Sequence, residues 1–296
     1  MKVLLVDLDQ TGFPNLALMK LSAWHKQLGA EVYLNQPIMG YDLVEASCVF
    51  SWNLKKLTRY PTPRYAGGIA FNMNLALPPS VEHIMPDYGL YNAPFSLGLT
   101  SRGCPNKCPW CVEWQRWPHA IQWGDFHEFW DRRHSHIKLL DPNLLAAPNA
   151  FTTLQDLAKE PVSVDFNQAL DVRLVDENVA DLLSKINIEP CLRFSFDSIH
   201  VAPSVRKAVH ELSLCGFRPS SLSFYVMVGF GETFEEEYSR LRILKELGCQ
   251  AHVMFYRDRQ GVERMPAQGF VREEDLPRGS RRTIRKYARL ARRSQK

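Results

Sequence analysis

The stretch PFSLGLTSRGCPNKCPWC, residues 94–111, decides the fold and the chemistry predicted for this chain. Its first half, 94–100, is predicted to be a strand, and three cysteines follow in the spacing C-x3-C-x2-C: Cys104, Cys108 and Cys111. Three thiolates on one short loop can bind three irons of a cubane iron–sulfur cluster, whereas clusters that only carry electrons usually have four cysteine ligands. The fourth iron would then be open to a further ligand.

The same cysteines leave a second interpretation open. Zinc also binds Cys and His at short spacings, and His119 could complete a Cys3His site. The protein would then be a non-catalytic, zinc-dependent nucleic-acid-binding module. The remaining cysteines are isolated in the sequence and are expected to be buried free thiols: Cys48, Cys191, Cys215 and Cys249.

Strands and helices are predicted to alternate on both sides of the cysteine loop. Before it, strands are predicted at 2–7, 31–34, 46–52 and 65–70, with a helix after Pro14. After it, strands are predicted at 136–140, 162–167, 191–196, 222–228 and 250–256. Helices are predicted near 112–132, 150–159, 175–185, 203–214 and 233–247, with a last basic one at 280–292. This order predicts an α/β fold with parallel sheets, and six successive βα units predict an incomplete barrel.

We therefore predict three parts. These are a small α/β domain at 1–88, a partial (β/α)6 TIM-type barrel at 89–260, and a basic C-terminal segment at 261–296 that ends in the last barrel helix. No apolar run is long enough to span a membrane, and the charged start of the chain is typical of a strand rather than a signal peptide. The expected compartment is the cytoplasm.

Polar residues and glycines follow the predicted strands of the barrel. Chemistry in parallel α/β barrels takes place at the carboxyl ends of the strands, so these residues are candidates for the site. Glycines there permit a close backbone approach to a ligand. The candidates are Asp141, Asn143, Asn167, Gln168, Asp171, Arg173, Ser195, Asp197, Gly229 and Gly231.

The cysteine run, with Trp110 before its third cysteine, resembles the signature of the radical S-adenosylmethionine superfamily. The order of elements is similar to the branch in which a cobalamin-binding-like, Rossmann-like domain precedes the barrel, and to uncharacterised bacterial and phage radical enzymes. The resemblance implies one [4Fe–4S] cluster with S-adenosylmethionine on its open iron. It implies that S-adenosylmethionine is reductively cleaved to a 5′-deoxyadenosyl radical, which abstracts hydrogen from a substrate. It also implies an electron donor of the flavodoxin or ferredoxin type.

The resemblance also implies roles for single residues. Trp110 would pack near the adenine, and Arg173, preferred over Arg193, would bind the cofactor carboxylate. Many family members carry Gly-Gly-Glu after the second strand, where this chain has Asp141-Pro-Asn143, so Asp141 is the candidate for the methionine amine. Further cofactor contacts are expected from Asn143, Asn167, Gln168, Ser195, Asp197, Gly229 and Gly231. Neither sequence nor resemblance identifies the catalytic residues.

The N-terminal domain departs from cobalamin-binding domains at one position. Those domains often carry Asp-x-His-x-x-Gly after the first strand, with the His on cobalt. Here Asp7-Leu-Asp9-Gln-Thr-Gly12 keeps the spacing and lacks the His. Cobalamin is therefore not expected as a cofactor.

The C-terminal segment concentrates positive charge. Residues 278–296 hold nine of the 36 Lys and Arg residues and no Asp or Glu. The segment is interpreted either as a last barrel helix with a solvated face or as a helix that follows nucleic-acid phosphates. Four of the seven Trp lie at 114–130 and could stack on bases. These features favour a nucleic acid or nucleotide as substrate, with a peptide or small metabolite as the alternative.

Overall fold

The computed structural model describes residues 1–36, 40–269, 271–279 and 281–291. The strands are β1 (Lys2–Asp7), β2 (Glu31–Leu34), β3 (Leu43–Ser47), β4 (Tyr65–Gly67), β5 (Ser96–Gly98), β6 (Ser101–Arg102), β7 (Ile121–Gln122), β8 (His136–Leu139), β9 (Ser163–Phe166), β10 (Leu192–Ser195), β11 (Leu222–Val228), β12 (Gln250–Phe255) and β13 (Arg278–Gly279). The helices are α1 (Leu16–Gln27), α2 (Pro79–Glu82), α3 (Glu113–Arg116), α4 (Ala150–Leu157), α5 (Glu177–Ser184), α6 (Ala202–Leu214), α7 (Phe234–Glu246) and α8 (Arg281–Ala291). The protein is thus a mixed α/β protein.

The chain divides into two compact units. The first comprises Met1–Gly98, Gly124–Ile137 and Arg259–Val262. The second comprises Leu99–Trp123, Lys138–Asp258 and the described residues from Glu263 onward. The division into 1–88, 89–260 and 261–296 stays a prediction.

The first unit is built on a parallel sheet with the strand order β2–β1–β3–β4. Helix α1 follows β1 and begins after Asn15, whose side chain accepts a hydrogen bond from the Leu18 N–H. Both faces of β1 are buried, with Leu4 and Val6 in one cluster and Val3 and Leu5 in another. Burial on both faces explains why this strand has a continuous apolar sequence.

Two strand predictions in this unit need correction. The third strand was expected at 46–52, but β3 ends at Ser47, and Ser51–Arg59 form a 3₁₀ helix. The cause is Asp9, whose carboxylate accepts hydrogen bonds from the N–H groups of Val49 and Phe50 and so takes them out of the sheet. The fourth strand ends at Gly67 rather than at residue 70.

The second unit contains a parallel sheet with the order β10–β11–β12–β13. The second half of β8 lies beside β9, and an isolated parallel bridge joins Leu170 to Phe194 of β10. Helices α4 to α7 connect the strands, as predicted. Phe194 and Phe224 are fully buried and pack with ring centroids 5.5 Å apart. The loops after β9, β10 and β11 are placed near one another, although closure into a partial barrel stays a prediction.

The predicted helix near 112–132 is wrong. Only Glu113–Arg116 form an α-helix there, and a short antiparallel pair, β6 with β7, encloses the loop. Trp117 is extended (φ −137°, ψ 90°) because it precedes Pro118, which disfavours a helical conformation in the preceding residue. The first predicted βα unit therefore lacks a complete helix. Among the described residues, no helix is long and apolar enough to cross a membrane.

Candidate cofactor site

The cysteine loop lies in the second unit between β6 and α3. Its cysteines are unpaired thiols. The Cys104 N–H donates to the Trp117 carbonyl at 3.1 Å. Gly103 has φ +83°, and a Cβ there would clash with the His119 carbonyl oxygen, so only glycine fits. Backbone contacts thus hold the loop and leave its sulfurs available to a ligand.

Hydrogen bonds and burial act on the three sulfurs. The Glu113 N–H donates to Cys111 Sγ, and the Asn143 amide donates to Cys104 Sγ, each at 3.4 Å. Such bonds tune the potential of a cluster. Burial, with a smaller effect from the neighbouring thiols, raises the pKa of Cys108 to about 11, and burial also raises the pKa of Cys111. Metal binding by these thiols would therefore release protons.

A cavity of about 540 Å³ opens beside the loop. This volume lies within the range of small-molecule sites. Side chains from the loop and from the segments after β9, β10 and β11 line it, among them Asn106, Cys108, Trp110, Arg173, Asp197 and Glu232. Four predicted site residues, Cys108, Trp110, Arg173 and Asp197, are thus brought together.

Asp171 links the loop to Arg173. The Arg173 guanidinium donates to both Asp171 oxygens, at 2.8 and 2.7 Å, and the Asn106 amide donates to Asp171 Oδ2 at 2.8 Å. Burial alone would raise the pKa of Asp171, but these hydrogen bonds hold it below its usual range. Asn143 also donates to Asp171, at 3.1 Å. From the sequence, Asp171 was a candidate only because it follows a predicted strand. In the structure, Asp171 holds the Arg173 side chain in place.

An aromatic row begins at Trp110. The Trp110 and Phe230 rings meet edge to face with centroids 5.3 Å apart, and Phe230 meets Tyr256 in the same way at 4.7 Å. Phe230 lies in the loop after β11 and Tyr256 directly follows β12. The row therefore joins the cysteine loop to the ends of two strands.

The two predicted glycines in the loop after β11 have positive φ angles, +84° at Gly229 and +96° at Gly231. The Gly229 N–H donates to Glu237 Oε1 at 2.7 Å, and a Cβ at this position would lie 2.9 Å from the Arg264 carbonyl oxygen. A Cβ at Gly231 would meet no atom within 4 Å. Thr233 then caps α7 through a capping box. The two glycines therefore shape the loop, and Thr233 begins the helix that follows it.

Arg240 was missed by sequence reasoning. It is fully buried in α7, and its guanidinium donates to the carbonyls of Phe196 at 2.9 Å and Met227 at 3.0 Å. It also forms an ion pair with Glu232, which lines the cavity. In sequence, an arginine within the charged segment EEEYSRLR is typical of a solvated helix face. The structure instead makes it the link between the ends of β10 and β11.

Asp141 lies away from the cavity lining. Its Oδ1 accepts four hydrogen bonds, from the N–H and hydroxyl groups of Thr100 and Ser101, at 2.6 to 2.9 Å. Its Oδ2 has no hydrogen-bond partner among the described residues. Asp141 and Gln168 are among the residues that line a void of about 10 Å³. Burial raises the pKa of Asp141. The observed contacts hold together the segment that precedes the cysteine loop.

Three other predicted residues, Asn167, Ser195 and Gln168, are not among those that line the cavity, whereas Asp197 is. The backbone of Asn167 forms two hydrogen bonds: its N–H donates to the Leu139 carbonyl, and its own carbonyl accepts from the Tyr225 hydroxyl at 3.4 Å. Ser195 is half-buried within β10, in register with Tyr225. Gln168 is exposed. Asp197 lines the cavity, accepts the Met227 N–H at 2.8 Å, and has its pKa raised by burial.

The aromatic residues at 114–130 divide into two groups. In the first unit, Phe126 and Trp130 are buried and pack there. In the second, Trp117 and Trp123 meet edge to face at 5.4 Å, and the Arg102 guanidinium lies 4.5 Å from the Trp123 ring centroid. Each pair thus lies within its own unit.

Within the described part of the chain, no three His, Cys, Asp or Glu side chains are arranged to hold a single metal ion. A zinc ion needs its ligands about 2.0–2.3 Å from one point. The thiolates of a cubane bind different irons and need not converge on one point. The His119 side chain is exposed, so the present arrangement gives the Cys3His interpretation no support.

Comparison with known proteins yields little. No protein-family model matches the chain, and no curated protein matches it. Among solved structures, the chain matches that of the apo, selenomethionine-labelled cobalamin-dependent S-adenosylmethionine radical enzyme OxsB, at 13% identity and a TM-score of 0.39. The alignment covers 99% of this chain and 55% of that one, so the chain spans about half of its length. Similarity at this level assigns neither family nor activity.

Proposed function

We propose that this chain is a radical S-adenosylmethionine enzyme built as a Rossmann-like domain and a partial (β/α) barrel. Its [4Fe–4S] cluster is bound by Cys104, Cys108 and Cys111. The observation that carries the proposal is that one loop holds three free thiols beside a cavity. Cys108, Trp110 and Arg173 are among the residues that line this cavity.

The residues present fit such a cluster and its cofactor. The three thiols can each bind one iron of the cluster. Asn143 and Glu113 donate hydrogen bonds to two of the sulfurs. The cavity beside the loop is of small-molecule size. When bound, the cluster and S-adenosylmethionine would together supply one-electron cleavage of the sulfonium to a 5′-deoxyadenosyl radical. A low-potential electron donor of flavodoxin or ferredoxin type is the proposed partner.

The cavity residues would bind and orient the cofactor. Arg173 has five N–H donors and uses two on Asp171, which leaves donors for a ligand carboxylate. Trp110 offers an aromatic surface for an adenine. The carboxyl groups of Asp197 and Glu232 can accept hydrogen bonds from ribose hydroxyls or from the methionine amine. Arg240 would hold Glu232 in place from behind the cavity wall.

Asp9 does not fit the role of a cobalt ligand. Asp9 stands where cobalamin-binding domains often carry the cobalt-ligating His. Its Oδ2 accepts from the Val49 N–H at 2.6 Å, and its Oδ1 accepts from the Phe50 N–H at 3.2 Å and the Asn53 amide at 2.8 Å. The carboxylate is thus committed to holding the chain after β3. Domain 1–88 is proposed to act as a scaffold or substrate contact.

The decisive test is anaerobic. The protein is reconstituted with iron and sulfide, reduced with dithionite, mixed with S-adenosylmethionine and assayed for 5′-deoxyadenosine. Cluster-dependent formation of 5′-deoxyadenosine is expected. A protein that takes up zinc and no iron under these conditions would overturn the proposal in favour of the non-catalytic zinc module.

A further inference from the structure

The last described element of the C-terminal segment, α8, is an amphipathic helix that packs against the protein through one face. Along α8, Tyr287, Ala288, Leu290 and Ala291 are buried, and the helix packs on β12. Lys286 lies over the Phe255 ring at 4.3 Å and forms an ion pair with Glu263. The apolar side of α8 is therefore a packing face, and Lys286 helps to anchor the helix. Arg292 and Arg293 lie outside the described residues.

The opposite face of α8 carries three exposed arginines, Arg282, Arg285 and Arg289. Their spacing of three and four residues places them on one side of the helix. No acidic side chain of the described chain pairs with any of them, in contrast to Arg257 and Lys286, which both contact Glu263. The three guanidinium groups therefore form a stripe of positive charge directed to solvent.

The arginine stripe, defined as Arg282, Arg285 and Arg289, lies in the same unit as the candidate cofactor site. Its helix contacts Phe255, the last residue of β12, through Lys286. Tyr287 is fully buried within electrostatic range of Glu237 and Arg240, which fix the Gly229 loop and Glu232. The stripe is thus anchored on the cluster of side chains that also builds the cavity wall.

We propose that the arginine stripe binds the phosphate backbone of a nucleic acid strand, which is the substrate of the cavity in the same unit. From Arg282 to Arg289 the helix advances about 10 Å, the axial length of about three phosphates in one strand. Arginine binds phosphate through two parallel hydrogen bonds, and the stripe offers no carboxylate that would repel a polyanion. Charge complementarity therefore selects a polyphosphate over a neutral metabolite or peptide.

The experiment compares two variants of the full-length protein with equal change in net charge. The stripe variant is Arg282→Gln/Arg285→Gln/Arg289→Gln. The control, Arg206→Gln/Lys207→Gln/Arg218→Gln, removes three exposed cations elsewhere in the same unit. Binding of labelled 20-nucleotide single strands, one of RNA and one of DNA, is followed by fluorescence anisotropy at several salt concentrations.

The stripe variant is expected to bind at least about tenfold more weakly at low salt. The slope of log affinity against log salt is expected to fall by about 2, because each phosphate contact with a single strand contributes about 0.7. The control variant should bind as the wild type does. The ratio of RNA to DNA affinity in the wild type identifies the strand. Equal losses in both variants, or no binding by the wild type, would overturn the assignment.

Because the assignment of a substrate rests on the proposed function, the two are tested separately. Strand binding is measured without cluster or reductant, and 5′-deoxyadenosine formation is measured with dithionite and no strand. The stripe variant should form 5′-deoxyadenosine with dithionite as the wild type does. Unchanged strand binding combined with impaired reduction by flavodoxin would show that the stripe docks an acidic protein, and the inference would be wrong.

A single variant, Arg285→Gln, guards against misfolding of the triple variant. Loss of one contact should lower the salt slope by about 0.7. An unchanged slope in a folded Arg285→Gln protein would also contradict the inference.

Discussion

At the residue scale, the three loop cysteines differ from the other four in what surrounds their sulfurs. Cys108 lines the cavity, whereas Cys215 follows α6 and Cys249 is buried. We expect Cys108→Ala to abolish cluster assembly, measured as iron and sulfide content and absorbance near 400 nm after anaerobic reconstitution. The control Cys215→Ala should retain the wild-type iron content. A full cluster in Cys108→Ala would refute the ligand assignment.

Arg240 is predicted to contribute strongly to stability. Arg240→Met would leave the carbonyls of Phe196 and Met227 without their donor and the Glu232 carboxylate without its cation. Removing one partner of a buried pair typically costs about 3–5 kcal/mol, which urea unfolding would measure. The control is Arg242→Met on the same helix, whose exposed side chain lies 4.0 Å from Glu246. Its cost should stay below about 0.5 kcal/mol; equal costs would contradict the role of Arg240.

Asp141 is predicted to make stability depend on pH. Burial raises its pKa in the folded state, so its contribution is fully present below the unfolded value of about 3.9 and is lost as pH rises through the folded pKa. Asp141→Asn cannot titrate. Its melting temperature relative to the wild type should therefore increase as the pH rises above about 4. A constant difference for Asp141→Asn would refute the prediction.

Asp141 and Arg173 also show what residue-level sequence reasoning can reach. Both residues follow predicted strands. Because sites in parallel α/β barrels lie at the carboxyl ends of the strands, the sequence indicates both residues equally. The structure separates them, because the four hydrogen bonds to Asp141 direct it into the protein whereas Asp171 fixes Arg173 at the cavity. The partners of Asp141 lie 40 and 41 residues away in sequence, which no local pattern encodes. Arg173 is instead held by Asp171, two residues before it.

At the element scale, the loop between β11 and α7 depends on Gly229 more than on Gly231. Both have positive φ, which costs a non-glycine residue about 1–2 kcal/mol. Only at Gly229 would a Cβ crowd a backbone oxygen, that of Arg264. Gly229→Ala should therefore destabilise the protein more than Gly231→Ala, measured by urea unfolding. The control Gly216→Ala has φ +92° and open space, and should match Gly231→Ala; equal costs at all three positions would contradict the crowding.

The elements that sequence predicted well are those with uninterrupted periodicity. Strand β11 was predicted at its observed bounds, and α6 and α7 within one residue at each end, because apolar spacing and capping residues mark them clearly. The helix predicted near 112–132 failed because Pro118 follows Trp117 and the hairpin β6–β7 depends on pairing between Arg102 and Ile121. Such pairing joins residues 19 apart, which a helical pattern cannot reveal.

At the scale of the whole molecule, the two units are predicted to differ in cofactor binding. The second unit has a thiol loop and a cavity, whereas in the first unit Asp9 is held by Val49, Phe50 and Asn53. We expect the full-length protein, incubated with hydroxocobalamin and desalted, to retain no cobalamin absorbance. The reconstituted cluster should be retained under the same treatment.

Asp9 itself provides the matched variant for this last prediction. If its carboxylate serves to hold the chain after β3, Asp9→Ala should destabilise the protein by about 1–3 kcal/mol, because the Val49 and Phe50 N–H groups lose their acceptor. It should gain no cobalamin binding. Asp42→Ala is a control, since its carboxylate accepts from the exposed Lys2 N–H. If the wild type bound one equivalent of cobalamin and Asp9→Ala did not, Asp9 would instead support a cofactor site.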